Sequence, residues 1–379
     1  MLRAFLLAVG FLASVHVAAA QGPAAVPVEG YARARVLRVL QERDDPYAGF
    51  ARMVQTVEIA LESGPESGTV LTLENGVLEN RRDMTLAEGQ RIIVRSVRHD
   101  DGRVQYFTAE TYRLPSLLWL VFGFVILAFL LGGWTSIRSL GGLVFSVAVL
   151  AAFVVPRIAA GANPVLVSLF GACIIACVSL TMAHGWSRRT QVALLSTLVT
   201  LAAAAILAWI AVSVGRLFGM GTEESVLLQL GPLPSANLRG VLLGGIIIGC
   251  LGVLDDVTTA QCAAVDEIRK ADPRMHPQRL WDAGMSVGRE HIASLINTLA
   301  LAYVGAALPL FLLFQLNGTT PWWVTLNSEF LAEEIVRTLV GSSALLIAVP
   351  VSTLFAVLLL HGTGGPRHAC AHRHSHPHA

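Results

Sequence analysis

The sequence predicts an α-helical membrane protein of about seven transmembrane helices, preceded by a small extracytoplasmic β-barrel domain of the OB type. Of 379 residues, 54% are hydrophobic and only 14% charged, which is too apolar for a soluble chain of this length. After Arg113 the apolar residues gather in runs near 115–133, 138–156, 163–183, 191–214, 237–256, 290–315 and 335–360, each close to the roughly 20 residues that a bilayer requires. Before Arg113 the pattern changes to short alternating stretches bounded by turn residues, the mark of half-buried strands.

Residues 1–21 read as a secretory signal, with Arg3 as the basic region, an apolar run from Ala4, and Ala18, Ala19 and Ala20 ahead of Gln21. Cleavage after Ala20 and retention as a signal anchor both fit, and both place the next segment outside the cytoplasm. Within the extracytoplasmic domain, 29–113, alternation predicts strands at Tyr31–Val39, Val54–Leu61, Thr69–Leu73, Arg91–Val97 and Arg103–Thr108. Ser63-Gly64-Pro65, Asn75-Gly76 and Asp100-Asp101-Gly102 supply turns between them. Five short strands fit a small closed or partly closed barrel. Such a domain serves either as a platform for a partner or as a folded cap.

With that domain outside, the connections of the helical domain, 114–361, alternate sides. Arg138, Arg188, Arg189, Arg269, Lys270, Arg274, Arg279, Arg289, Arg367 and Arg373 fall on the inner side, and Arg157 and Arg216 on the outer. Arg239 and Arg337, at helix ends on the outer side, blur this slightly. The asymmetry predicts a bacterial inner-membrane protein with a cytoplasmic C-terminus. The net charge of +1 advertises no nucleic-acid surface.

The stretch Gly240–Lys270, GVLLGGIIIGCLGVLDDVTTAQCAAVDEIRK, is the most unusual in the chain. Gly240/Gly244 and Gly245/Gly249 are pairs of small residues four apart, which let another helix approach closely. Gly245, Gly249, Gly252, Asp256 and Thr259 follow at intervals of four and three and share one helical face. Asp255 and Asp256, with Thr258, Thr259, Gln261 and Asp266 beyond them, are candidate ion ligands, Asp256 first among them because the glycine face presents it. Charge in a bilayer is costly and faces a bundle interior or water. The alternative is a helix end wetted by cytoplasm, because Asp255 lies roughly 27–30 Å from the start of the helix.

Glu290, His291, Ser294, Asn297 and Thr298 form a second polar stripe at helical spacing. The amide of Asn297 needs a partner inside a membrane. Either the two stripes make one cation-attracting site, or the second is polar glue between helices. His184 at a helix end could titrate near neutral pH, but reads as a solvated cap. The tail, 362–379, is rich in histidine; His368, His372, His374, His376 and His378 offer weak, unselective binding of a divalent transition metal. No other cofactor is implied. No nucleophile motif, phosphate loop or HExxH is present, so an enzyme has little support. An intramembrane hydrolase would need two facing carboxylates, and neighbours on a helix diverge by about 100°.

The run Gly252-Val-Leu-Asp-Asp-Val-Thr-Thr-Ala-Gln261, then Gly288-Arg-Glu-His291 and Asn297-Thr-Leu-Ala-Leu-Ala-Tyr303, resembles the signature of the YibE/F family of bacterial multi-pass membrane proteins. The loop His184–Thr190 with Ala193-Leu-Leu195 resembles a second patch of that family. Ser196 stands where the family has glycine, and the His-rich tail lies outside the pattern. The resemblance implies the barrel-plus-helices architecture over roughly residues 30–360. It also implies that Asp255, Asp256, Thr258, Glu290 and Asn297 belong together. It leaves function open: a permease for an ion or small solute is expected first, and a scaffold or signalling protein with an extracytoplasmic partner second.

Overall fold

The structure is a computed structural model and describes residues 29–44, 51–78, 85–98, 104–231, 235–316 and 321–360. The expected signal segment and the His-rich tail lie outside the described residues. The chain forms two compact units, one running to Leu131 and the other beginning at Gly132.

In the first unit, β1 (Glu29–Asp44), β2 (Ala51–Leu61), β3 (Val70–Leu78), β4 (Arg91–Arg98) and β5 (Val104–Thr111) form one antiparallel sheet in the order β3-β2-β1-β4-β5. Each expected strand is present; β1 runs beyond the expected bounds at both ends and the other four at one end. Alternation sets the faces: Ala34, Val36, Val57, Ile59, Ile92 and Val94 are buried, while arginines and glutamates face out. β1 pairs with both β2 and β4, and its register against β2 shifts at Val36/Arg38 and at Val39/Gln41. Such bulges bend a strand, and the sheet curls into a half-barrel.

Gln55, buried on the inner side, accepts a hydrogen bond from the Leu86 amide at 2.7 Å and donates to Glu42 at 2.6 Å. Outward pairs such as Arg35–Glu62 (2.9 Å) and Arg38–Glu58 (2.6 Å) are solvent-screened and add little.

β5 is tied to the β2–β3 turn by Tyr106, whose hydroxyl donates to Glu66 at 2.6 Å. Burial first, and the hydrogen bond and charge of Glu66 next, push the Tyr106 hydroxyl up to about 12. The folded value exceeds the unfolded one, so the contribution of this group is complete below about pH 10 and is lost as pH rises toward 12. In an absorbance titration of the tyrosines, the step near pH 12 should disappear in Tyr106→Phe. A difference spectrum with its step near pH 10 would contradict this.

The helices begin with α1 (Leu114–Val149), which continues through a π turn at Leu150–Val154 into α2 (Val155–Ala159). The stretch of 46 residues is about 69 Å of helix, more than twice the hydrocarbon thickness. Gly133 interrupts it at φ 59°, ψ −147°, a conformation open to glycine. The expected segments 115–133 and 138–156 both lie within this stretch, on either side of the break.

α3 (Pro164–His184) is capped by the Asn163 side chain and ends at Gly185, at φ 75°. α4 (Arg188–Val214) is capped by Ser187, and α5 (Glu223–Leu230) by Thr222. α6 (Leu238–Ala271) starts at its Asn237 cap and ends just before Asp272-Pro273, where proline forbids continuation. α7 (Pro277–Ala306) has proline at its first position. α8 (Leu308–Leu316), α9 (Trp322–Leu326) and α10 (Glu329–Leu359) are the last helices among the described residues.

Among the described residues, five stretches are long and apolar enough to cross a membrane: α1 with α2, α3, α4, α6 and α10. The count differs from seven for two reasons. Two expected segments share one stretch, and the expected 290–315 is divided between α7 and α8, with Arg289, Glu290 and His291 at its polar beginning.

α4, α6 and α10 pack on one another, with α3 and α7 against α6. Leu201, Ile246, Ile247, Leu254 and Leu345 are buried there, and α6 is the most buried of the five. Only one of its glycine faces is used. Gly240 and Gly244 lie against Pro164 and Ser168 of α3, so close that a Cβ on Gly244 would run into the serine hydroxyl. Gly245 and Gly252 have nothing near them, and Gly249 meets only the Tyr303 hydroxyl, 3.9 Å from its Cβ position.

The loop after α4 is held by the start of α10. One Glu329 oxygen accepts from the amides of Phe218 (2.5 Å), Gly219 (2.9 Å) and Met220 (3.3 Å). Glu333, buried one turn on, accepts from Gly221 at 3.0 Å.

Candidate functional site

The polar half of α6 follows its apolar half without a turn, so every side chain from Leu254 onward is placed by helical geometry. The two aspartates consequently differ. Asp256 is exposed. Asp255 turns into the bundle, where one carboxylate oxygen accepts from the Ser179 hydroxyl of α3 at 3.1 Å. The other, Oδ1, is buried and has no hydrogen-bond partner.

Thr258, one turn on, is fully buried; its hydroxyl lies 2.7 Å from that of Thr197 on α4 and donates to the Leu254 carbonyl at 2.9 Å. The Thr259 hydroxyl is buried without a partner. Gln261, 2% exposed, donates to the Gly284 carbonyl of α7 and to the Thr353 hydroxyl of α10, each at 2.8 Å. This single amide joins three helices. Asp266 pairs with Lys270 at 2.7 Å along the helix surface.

The second stripe lies elsewhere. Glu290 and Asn297 are exposed and His291 is half-buried. No hydrogen bond joins them to Asp255, Asp256 or Thr258 among the described residues. α7 meets α6 further along, where Gly284 and Gly288 face Gln261 and Val265.

Sequence reasoning did not single out Ser179, Thr197 or Thr353. A hydroxyl inside an apolar helix usually bonds back to the carbonyl four residues earlier, as Thr197 and Thr353 also do. Their cross-helix role thus leaves no trace in spacing. Gly284 and Gly288 did carry a signal, a small pair four apart. Among the described residues, no group of three or more His, Cys, Asp or Glu is placed to hold a metal ion.

These features define a multi-pass α-helical membrane protein with a carboxylate turned into its helix bundle. A profile of the YibE/F-like protein family matches residues 120–362, well over half of the chain, and the chain belongs to that family. The match begins inside α1, so membership rests on the helices rather than on the sheet. No curated protein and no solved structure matches the chain.

Proposed function

We propose that this YibE/F-family chain is a membrane permease in which Asp255 takes up a proton or a cation during passage of an ion or small solute. One observation carries the reading: a carboxylate on a membrane-crossing helix has an oxygen that is buried and unpartnered. A bare charge so placed is costly and is relieved by a proton or a cation. The Ser179 hydroxyl supplies a neutral oxygen beside it. The expected pairing with Glu290 and Asn297 is not part of this proposal.

The topology that goes with the reading has seven crossings. The break at Gly133 divides the first stretch into two, and α7 with α8 supplies another. The sheet then lies outside the inner membrane and the tail in the cytoplasm, as the arginine distribution favours. The strand order, with β1 between β2 and β4 and the edges β3 and β5 near each other, supports an OB-like barrel. With one aspartate turned inward and its neighbour outward, the facing pair that a hydrolase needs is not supplied by α6, which favours a non-enzymatic role.

The test is flux through the purified chain in proteoliposomes, read by a pH-sensitive dye under proton and monovalent- and divalent-cation gradients. Asp255→Asn should reduce flux to the protein-free level, and Asp256→Asn should retain most of it. Equal flux in wild type and Asp255→Asn, or no flux under any gradient, defeats the proposal.

A second reading, a scaffold whose sheet binds a partner, is favoured by one feature. Tyr31, Arg95 and Phe107 are opposed across β1, β4 and β5, and both aromatics are exposed. A stoichiometric partner crosslinked to this face, without flux, would select it.

A further inference from the structure

We infer that the cleft at the first turns of α3 and α6 binds an anionic phospholipid, its phosphate held by Arg239 and an acyl chain lying against Leu166 and Trp209. The cleft holds about 360 Å³ and lies at the ends of helices apolar enough to cross a membrane. Its walls are Val165 and Leu166 from α3, Trp209 from α4 and Leu243 from α6. Leu166 is 65% exposed and Trp209 60% exposed.

The polar rim offers donors. Asn163 and Asn237 spend their Oδ1 atoms on the amides of Val165, Leu166 and Gly240, which leaves each Nδ2 as a donor. Arg239 sits at the second position of α6, where the helix dipole disfavours a cation. Its guanidinium donates to the neutral Ser213 hydroxyl at 2.7 Å, and no carboxylate pairs with it among the described residues. The start of α3 adds a second positive helix end, since the Cβ position of Gly240 is 3.2 Å from Pro164. A guanidinium, two amide donors and two helix starts, with no anion among them, complement a phosphate. The apolar walls have no use for free phosphate and fit a lipid chain.

Native mass spectrometry of the full chain, given phosphatidylglycerol and phosphatidylcholine of equal chain length in equal amount, tests this. Wild type should retain phosphatidylglycerol about fivefold over phosphatidylcholine. Arg239→Gln should abolish the preference. Asn237→Asp keeps the cap but exchanges a donor for a negative charge, and should abolish it independently of the Ser213 contact. Trp209→Ala should weaken retention of both lipids, and Arg157→Gln should leave the ratio unchanged. No preference in wild type, or an undiminished one in both Arg239→Gln and Asn237→Asp, overturns the assignment.

Discussion

Gly219→Ala is expected to cost about 3 kcal/mol or more, because strain and a backbone collision act together. The residue sits at φ 83°, and a Cβ there would run into the Leu238 carbonyl and stand 2.9 Å from the Arg239 amide nitrogen. Neither atom can yield without moving the first turn of α6. The amide of Gly219 is also one of three gathered on Glu329, so any shift of the loop loosens that set. Thermal unfolding in detergent should show the midpoint lowered by roughly 6–12 °C. Gly161→Ala separates the two causes. It has a similar φ of 86° with nothing near its Cβ position, so it should cost only the strain, about 1–2 kcal/mol. Equal shifts in the two variants would show that the collision is relieved.

Gly288→Ala is the second large effect. Its methyl would enter the space of the Val349 side chain and stand 3.1 and 3.2 Å from the Gln261 amide atoms. α7 must then withdraw from α6 and α10, and the hydrogen bonds from Gln261 to Gly284 and Thr353 lengthen. Overpacking of this kind costs about 1–3 kcal/mol, and each weakened buried hydrogen bond adds about 1 kcal/mol. On α6, Gly245→Ala should instead be neutral or stabilising by about 0.5–1 kcal/mol, since nothing opposes its methyl and alanine favours the helix. The two thermal midpoints should move in opposite directions; a drop for Gly245→Ala would mean that its face is covered in the detergent-solubilised protein.

That contrast shows how far the sequence could be read. Alternation located all five strands, because one buried face imposes a period of two and a one-residue slip would invert it. The limits of the apolar runs located α3, expected at 163–183 and found at Pro164–His184, and the end of α4 at Val214. The glycine pairs were legible as places of close approach, but spacing alone could not say which would be occupied. Gly240/Gly244 received α3, while Gly245/Gly249 stayed open. The aspartates present the same problem. Asp255 and Asp256 are chemically alike and adjacent, and only the position of α3 makes Asp255 the one that meets Ser179. The partners of Gln261 were illegible for a different reason: Gly284 contributes a carbonyl, which every residue has.

The grip of α3 on α6 is unequal along its length. At Gly244 the α6 backbone meets the Ser168 side chain of α3, with no room for a Cβ. About 16 Å further on, the tie is a single hydrogen bond from Ser179 to Asp255. α7 and α10, by contrast, are pinned to α6 through Gln261. Between Gly244 and Asp255, α3 and α6 share a buried cluster, with Ala172, Ile175 and Ala176 of α3 beside Ile246, Cys250 and Leu254 of α6. Changing the charge on Asp255 acts on the hydrogen bond to Ser179 and leaves the close packing at Gly244 untouched.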